Sequence, residues 1–169
     1  MLKNIYSVDL RILLWCRKSR YFPHFMSFNR IISRSGDGYV QLLFPLVYWG
    51  ISPQAGKEFF ILTAIAFSVE RPMYFILKNV LKRRRPPEVV PDFTSVVTAS
   101  DKFSFPSGHT MAAFLLASLA LMTIGLAALP LYIWASMVAM SRVVLGVHFP
   151  TDIIAGASLG TYIAYFLVY

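Results

Sequence analysis

The sequence predicts an all-α fold: a polytopic transmembrane bundle of about five to six helices, with N-terminal amphipathic helices at the membrane interface. Three observations predict it. Hydrophobic residues make up 57% of the chain and charged residues only 14%, where a soluble domain carries about 25% charged residues. Mean hydropathy is +0.60. The apolar residues fall in long stretches, of which 107–124, 126–141 and 153–169 are uncharged apart from His109.

Residues 1–20 mix Ile5, Val8, Ile12, Leu13 and Trp15 with Lys3, Asp9, Arg11, Arg17, Lys18 and Arg20. The apolar run is too short to span, and a helix lying in the interface fits it. Asp9 and Arg11 interrupt it and no small-residue cleavage site follows, so no cleavable signal peptide is expected. Pro23 restarts the chain. Phe25, Phe28, Ile31 and Ile32 recur at helical spacing, and Arg30 and Arg34 point to the interface again. Ser35-Gly36-Asp37-Gly38 reads as a turn, which Asp37 caps or fixes. Residues 39–51 are apolar but short: a span helped by its neighbours, or a tilted, partly buried helix. Ser52 to Gly56 reads as a loop. Residues 58–81 form a helix of about 35 Å, long enough to cross a bilayer. Glu70, Arg71 and Pro72 sit in its middle, and the proline should kink it.

Residues 82–106 are the long polar connection, opened by Lys82-Arg83-Arg84-Arg85 and stiffened by Pro86, Pro87 and Pro91. Gly125 to Pro130 marks the next turn. In the last span Gly156 and Gly160 form a small-xxx-small pair, which lets helices approach closely. At 169 residues one domain is expected overall, with 1–38 as its interfacial region and 39–169 as its transmembrane part. Net charge is +8. The cations lie between apolar spans, so membrane lipids and phosphate esters are the expected partners, not nucleic acid. The single cysteine, Cys16, excludes an intrachain disulfide and packs. His24 reads as interfacial. Trp15, Trp49 and Trp134 read as interface anchors or core packing.

Alternating spans have a consequence for the polar residues. Span 58–81 ends near Arg85, the next begins near Ser107, the next ends near Arg142, and the last begins near His148. All four points must share one side of the membrane. Lys78, Arg85, His109, Arg142, His148 and Asp152 are thereby brought to one surface.

The segment Ser141 to Asp152 places Arg142, His148 and Asp152 between two apolar stretches, a costly arrangement unless it has a task. A polar turn between spans is its plain alternative. If Pro150 opens a helix, Asp152 lies about one turn from His148. A carboxylate on one ring nitrogen orients an imidazole and makes the other nitrogen a better nucleophile. Lys78 and Arg85 are seven apart, nearly on one helical face, with Arg71 on the same stripe. A point charge and a planar bidentate donor suit a phosphate. Lys82, Arg83 and Arg84 are read instead as snorkelling at a helix end. Pro106-Ser107-Gly108-His109 opens a helix whose free N–H groups favour an anion. Gly108 permits close backbone approach, the Ser107 hydroxyl can donate, and His109 can protonate a leaving oxygen. Helix capping by Ser107 would equally explain that residue. Glu70 and Arg71, adjacent on a helix, point about 100° apart, so their spacing alone does not make them a pair. Arg71 either floors the site or balances a buried charge.

Taken together, these segments resemble the three-part signature of the type 2 phosphatidic acid phosphatase (PAP2) family. The pattern runs Lys78, six residues, Arg85-Pro86; then Pro106 to His109; then Ser141-Arg142, five residues, His148, three residues, Asp152. Every fixed position matches. The resemblance covers 78–152 closely and the surrounding helices more loosely. A full-length first span of larger members is replaced here by residues 1–38.

The resemblance implies a membrane lipid phosphatase. His148 attacks phosphorus to form a phosphohistidine, Asp152 orients it, and His109 protonates the leaving group and then activates water. Lys78, Arg85 and Arg142 hold the phosphate oxygens, with Ser107 and the Gly108 N–H completing the cradle. No metal and no other cofactor is implied. The expected substrate is a lipid phosphate or pyrophosphate: a polyprenyl (undecaprenyl) pyrophosphate, phosphatidylglycerophosphate, phosphatidic acid or a lipid A phosphate. Transfer to a lipid or sugar hydroxyl, or lipid binding or transport without catalysis, are the competing readings. Fourteen of the sixteen Lys and Arg fall on the site's side. The positive-inside rule would make that side cytoplasmic. The resemblance, for bacterial members in the inner membrane, favours the periplasmic or outer face.

Overall fold

The computed structural model describes residues 2–18, 22–99 and 101–169, and among these it is all-helical. The readings for Arg20, and for the side chains of Lys3, Ile5 and His24, lie outside what is described. The helices are α1 (Leu2–Lys18), α2 (Phe22–Ser35), α3 (Tyr39–Ile51), α4 (Pro53–Leu81), α5 (Pro86–Val89), α6 (Gly108–Ile124), α7 (Leu129–Val144) and α8 (Pro150–Val168). The stretch Pro53–Val89, which contains α4, the stretch Leu126–Val144 and α8 are long and apolar enough to cross a membrane, while α3 and α6 are shorter apolar helices.

The boundaries follow local chemistry. Pro53 is accepted in the first turn of α4, where its missing N–H is not needed. The expected loop from Ser52 to Gly56 therefore shrinks to Ser52 itself. Pro72 lies inside α4 without ending it. Lys82, in the left-handed region at φ 47°, stops α4, and Gly125 at φ 83° stops α6. Pro150 opens α8, as its position in the sequence predicts. The polar connection contains one turn of helix, α5, followed by irregular chain up to α6.

α6 is the central helix, packed most extensively against α8 and next against α7. Its Met111, Leu115, Leu116 and Leu119 are fully buried. They form one core with Phe59 and Ala66 of α4 and Ile163 and Ala164 of α8. The outward faces carry exposed Leu43, Ile65, Phe75, Ile133, Ile154 and Phe166. Such residues suit a lipid surround, where tight van der Waals packing, not exclusion of water, holds helices together. Gly156 and Gly160 let α6 and α8 pack closely. A Cβ on Gly160 would stand 2.3 Å from the Met111 carbonyl oxygen, and one on Gly156 would stand 2.7 Å from that of Ser107. Gly56 gives α3 and α4 a similar approach, 2.3 Å from the Trp49 Cα.

The amphipathic N-terminal helices dock on the bundle. α2 lies on α7, and α1 contacts α7 and α8. Leu13 is buried in a small core with Phe93, Val143 and Phe149, while Trp15 on the opposite face is 73% exposed. Asp9 on the inner face of α1 is fully buried, so α1 contributes a charge to the interior.

Gly160→Ala should lower the unfolding midpoint in detergent, at a cost of about 1–3 kcal/mol, as overpacking does. Gly50→Ala, in α3 with nothing within 4 Å of the added carbon, should leave the midpoint unchanged or slightly raised.

Candidate active site

His148 lies on the tight connection between α7 and α8. The N–H groups of Val147 and His148 both donate to the Arg142 carbonyl, at 3.2 and 3.3 Å, folding this connection back onto the end of α7. Gly146, at φ 77°, makes the reversal possible, and the Phe93 ring fills the space a side chain there would need. His148 is 2% exposed. Its Nδ1 is 3.6 Å from Asp152 Oδ2, an ion-pair distance too long for a hydrogen bond, and has no hydrogen-bond partner. Burial holds the imidazole well below its usual range, at about 4. The adjacent carboxylate opposes that shift, while Arg142 and Arg85 add to it. The ring is therefore neutral at ordinary pH, the state a nucleophile requires.

Asp152 is fixed from three directions. Its Oδ2 accepts the Phe149 N–H at 2.8 Å, capping α8. Its Oδ1 accepts Arg83 Nη1 at 2.6 Å. Its backbone carbonyl accepts the Ser107 N–H at 3.1 Å, joining the starts of α6 and α8. The reading of Arg83 as a snorkelling cation is thus corrected. Its guanidinium also reaches Asp9 Oδ2 at 2.6 Å and Thr151 Oγ1 at 2.7 Å, and it lies 4.3 Å from the Phe149 ring centre. Asp9 in turn accepts the Thr151 N–H at 3.0 Å. A buried carboxylate and a guanidinium are tolerable together because each supplies the other's hydrogen bonds.

Lys78 and Arg85 converge on Asp101, a residue the sequence reading did not single out. Lys78 Nζ is 2.8 Å from Asp101 Oδ2 and 2.6 Å from the Tyr74 hydroxyl oxygen. The Tyr74 hydroxyl donates to the same carboxylate at 2.5 Å. Arg85 Nη2 pairs with Asp101 Oδ1. Arg85 Nε donates to the Asp101 carbonyl at 3.1 Å, and Nη1 to the Val147 carbonyl at 2.6 Å, next to His148. Partial burial works against the ionised Asp101 carboxyl, but the hydrogen bonds from Lys78 and Tyr74 and the charge of Lys78 prevail and hold it down to about 2.

At the start of α6, Ser107 is buried. Its hydroxyl meets Thr110 Oγ1 at 3.0 Å and makes no helix-capping bond. The close approach that Gly108 permits is that of Tyr74, whose ring would stand 2.7 Å from a Cβ there. His109 Nε2 is 2.5 Å from Asp37 Oδ1, so Asp37 does more than shape its turn. Arg142 Nη1 bonds Ser33 Oγ, on the helix leading into that turn. Glu70 and Arg71 pair, and Arg71 thereby balances a buried charge. The arginine side chain is long enough to wrap back, placing Nε and Nη2 on the two Glu70 oxygens. Its guanidinium lies 5.0 Å from the Tyr74 ring centre.

A cavity of about 1260 Å³ opens beside this cluster. Asp37, Tyr74, Asp101, Gly108, His109 and Arg142 form one part of its wall, and Leu42, Pro45, Phe60, Thr63 and Phe67, from α3 and α4, form another. Lys78, Arg85, Ser107, His148 and Asp152 are buried and are not among its lining residues. Asp101 links the lining to Lys78 and Arg85. Among the described residues no three His, Cys, Asp or Glu side chains gather into a metal-binding group.

The fold and this cluster define a class: a helical membrane protein in which four helix ends gather imidazoles, carboxylates and cations into one polar site. The chain belongs to the PAP2 superfamily, whose family model matches residues 57–169. It is 30% identical over 139 residues to the decaprenylphosphoryl-5-phosphoribose phosphatase of Mycobacterium tuberculosis, covering 82% of this chain and 76% of that one. The Mycolicibacterium smegmatis protein of the same name is 38% identical over 81 residues, 48% of this chain and 43% of the relative. The chain thus spans less than half of one of these relatives and about three quarters of the other. Two crystal structures share the fold. The transmembrane PAP2-type phosphatidylglycerolphosphate phosphatase of Bacillus subtilis matches with TM-score 0.75 at 26% identity, over 98% of this chain and 84% of its own. Aquifex aeolicus LpxE matches with TM-score 0.78 at 27% identity, over 95% and 94%. With its candidate spans and transmembrane relatives, the chain is an integral membrane protein.

The neutral, buried His148 has a measurable consequence. An unfolded chain protonates this ring near the ordinary value of 6.5, while the folded protein keeps it neutral down to about 4. The stability it contributes is full above about pH 6.5 and is lost as pH falls towards 4. Unfolding midpoints in detergent should drop across that window, and His148→Gln should flatten the slope.

Proposed function

We propose that the chain is an integral-membrane lipid phosphatase, removing a terminal phosphate from a lipid phosphate or pyrophosphate through a phosphohistidine intermediate. The observation that carries this reading is a neutral, buried imidazole beside a fixed carboxylate, with Arg85 and Arg142 close by and Lys78 joined to Arg85 through Asp101. His148 Nε2 attacks phosphorus as the bond to the leaving oxygen breaks, and His109 gives that oxygen a proton. Water then attacks phosphorus, losing a proton to His109, while the phosphorus–nitrogen bond breaks and its electron pair returns to His148, and phosphate leaves. Asp152 steadies the charge that develops on His148. Lys78, Arg85 and Arg142 hold the equatorial oxygens, with the Gly108 N–H and the Ser107 hydroxyl completing the cradle. Lys78 and Arg85 exchange Asp101 for the phosphate as it enters. Transfer from a phosphate ester asks chiefly for positioning and charge stabilisation, so these residues suffice without a metal.

The cavity supports a substrate with a tail. Its apolar part, formed by α3 and α4, takes hydrocarbon while the polar part takes the phosphate. Relatives named for a decaprenylphosphoryl sugar phosphate and for phosphatidylglycerolphosphate lie within the same class of substrates. We place the protein in a bacterial inner membrane with the site on the periplasmic face.

His148→Ala and His109→Ala should each lower turnover of a lipid phosphate at least about a hundredfold, with unfolding midpoints showing that both variants remain folded. Normal phosphate release from folded His148→Ala would remove the mechanism. For sidedness, a cysteine at Ser95 in a Cys16→Ser background should react with a membrane-impermeant maleimide in intact cells. Labelling only after lysis would place the site in the cytoplasm.

A further inference from the structure

We propose that Asp37, on the turn between α2 and α3, is a positioning residue that holds His109 in the orientation and tautomer needed to protonate the leaving group. The inference rests on the phosphatase reading above and extends the site to a part of the chain outside the three signature segments. A carboxylate only accepts, so at 2.5 Å the His109 Nε2 carries the shared hydrogen. That leaves Nδ1 as the atom that handles the reactive proton. As His148 bonds to phosphorus and the leaving oxygen departs, the Nδ1 proton moves to that oxygen. The ring is left neutral, with Nε2–H still on Asp37.

The turn that presents Asp37 is built in detail. The N–H groups of Gly36 and Asp37 donate to the Ser33 and Arg34 carbonyls, at 3.1 and 3.0 Å. Gln41 Nε2 donates to the Gly36 carbonyl at 3.2 Å. A Cβ on Gly36 would stand 2.9 Å from Val138 of α7, so the turn sits directly against the bundle. Gly38, at φ 111°, lets the chain enter α3 immediately afterwards. Trp134 Nε1 donates to Ser35 Oγ at 2.9 Å, and Arg142 bonds Ser33. Asp37 and His109 both line the cavity that Arg142 and Asp101 also line. An ion pair as exposed as this one, with the Asp37 side chain 46% exposed, adds little to stability. Its geometry therefore matters more to His109 than to the fold.

The test is a double-mutant cycle read in kcat/KM on a lipid phosphate that the wild type hydrolyses. Asp37→Asn keeps the size of the side chain and removes its charge. It should lower kcat/KM about tenfold or more, a part of what a general acid contributes. In a His109→Ala background the same change should have no further effect. Where p-nitrophenyl phosphate is also hydrolysed, Asp37→Asn should cost it far less, because that leaving group needs no proton. Asp37→Glu should recover part of the loss. Additive losses in the double variant, or undiminished kcat/KM in Asp37→Asn, overturn the proposal whatever the aryl result. If the wild type releases phosphate from no lipid phosphate, the phosphatase reading itself fails, and that outcome is distinguishable from the failure of Asp37 alone.

Discussion

The polar end of this bundle depends on Asp152. Its carboxylate caps α8 through the Phe149 N–H and accepts Arg83 from just beyond α4, and its carbonyl accepts the N–H that precedes α6. One residue thus ties three helix ends together and lies beside His148. The glycine contacts between α6 and α8 serve the same end. Without side chains at Gly156 and Gly160, the two helices lie close enough for the Ser107 N–H to reach the Asp152 carbonyl.

Charge within an apolar bundle is costly, and this chain meets the cost by pairing. It has 16 cations and only 8 acids. Among the described residues, Asp9, Asp37, Glu70, Asp101 and Asp152 all engage cations or imidazoles. Asp9 and Glu70 are buried completely. The polar cluster is therefore a network in which each carboxylate serves more than one neighbour: Asp101 serves Lys78, Arg85 and Tyr74, and Asp152 serves Arg83 and the Phe149 N–H. Low dielectric makes such contacts strong and makes an unpaired member expensive.

Much of this was legible in the sequence. Uncharged stretches gave the helices, Pro150 and Gly125 gave two boundaries, and the Gly156/Gly160 spacing gave a close helix contact. Alternation of spans brought the motif residues to one end of the bundle, and there the structure places them. What escaped were partners remote in sequence and short of any motif. Asp9 reaches Arg83 across 74 positions, and Asp37 reaches His109 across 72. Asp101 sits in irregular chain, where no periodicity fixes direction. The pairing of Glu70 with Arg71 is left open by the sequence because helical angles describe Cβ directions, whereas an arginine is long enough to curl back. The scarcity of acids in a cationic chain is the signal the sequence carries: with 16 cations to 8 acids, each carboxylate has a cation to pair with.

On the proposed reading, the Asp101 carboxylate gives ligand entry the character of an ion exchange. Lys78 and Arg85 already share one carboxylate in the folded protein, so a phosphate entering on the proposed path displaces one anion with another. Affinity then reflects the difference between two salt complexes, which keeps it moderate. It also favours a dianion, which brings more charge to the two cations than the single carboxylate it replaces. A product that leaves does not strand bare cations in a dry setting, because the tethered carboxylate is at hand to return.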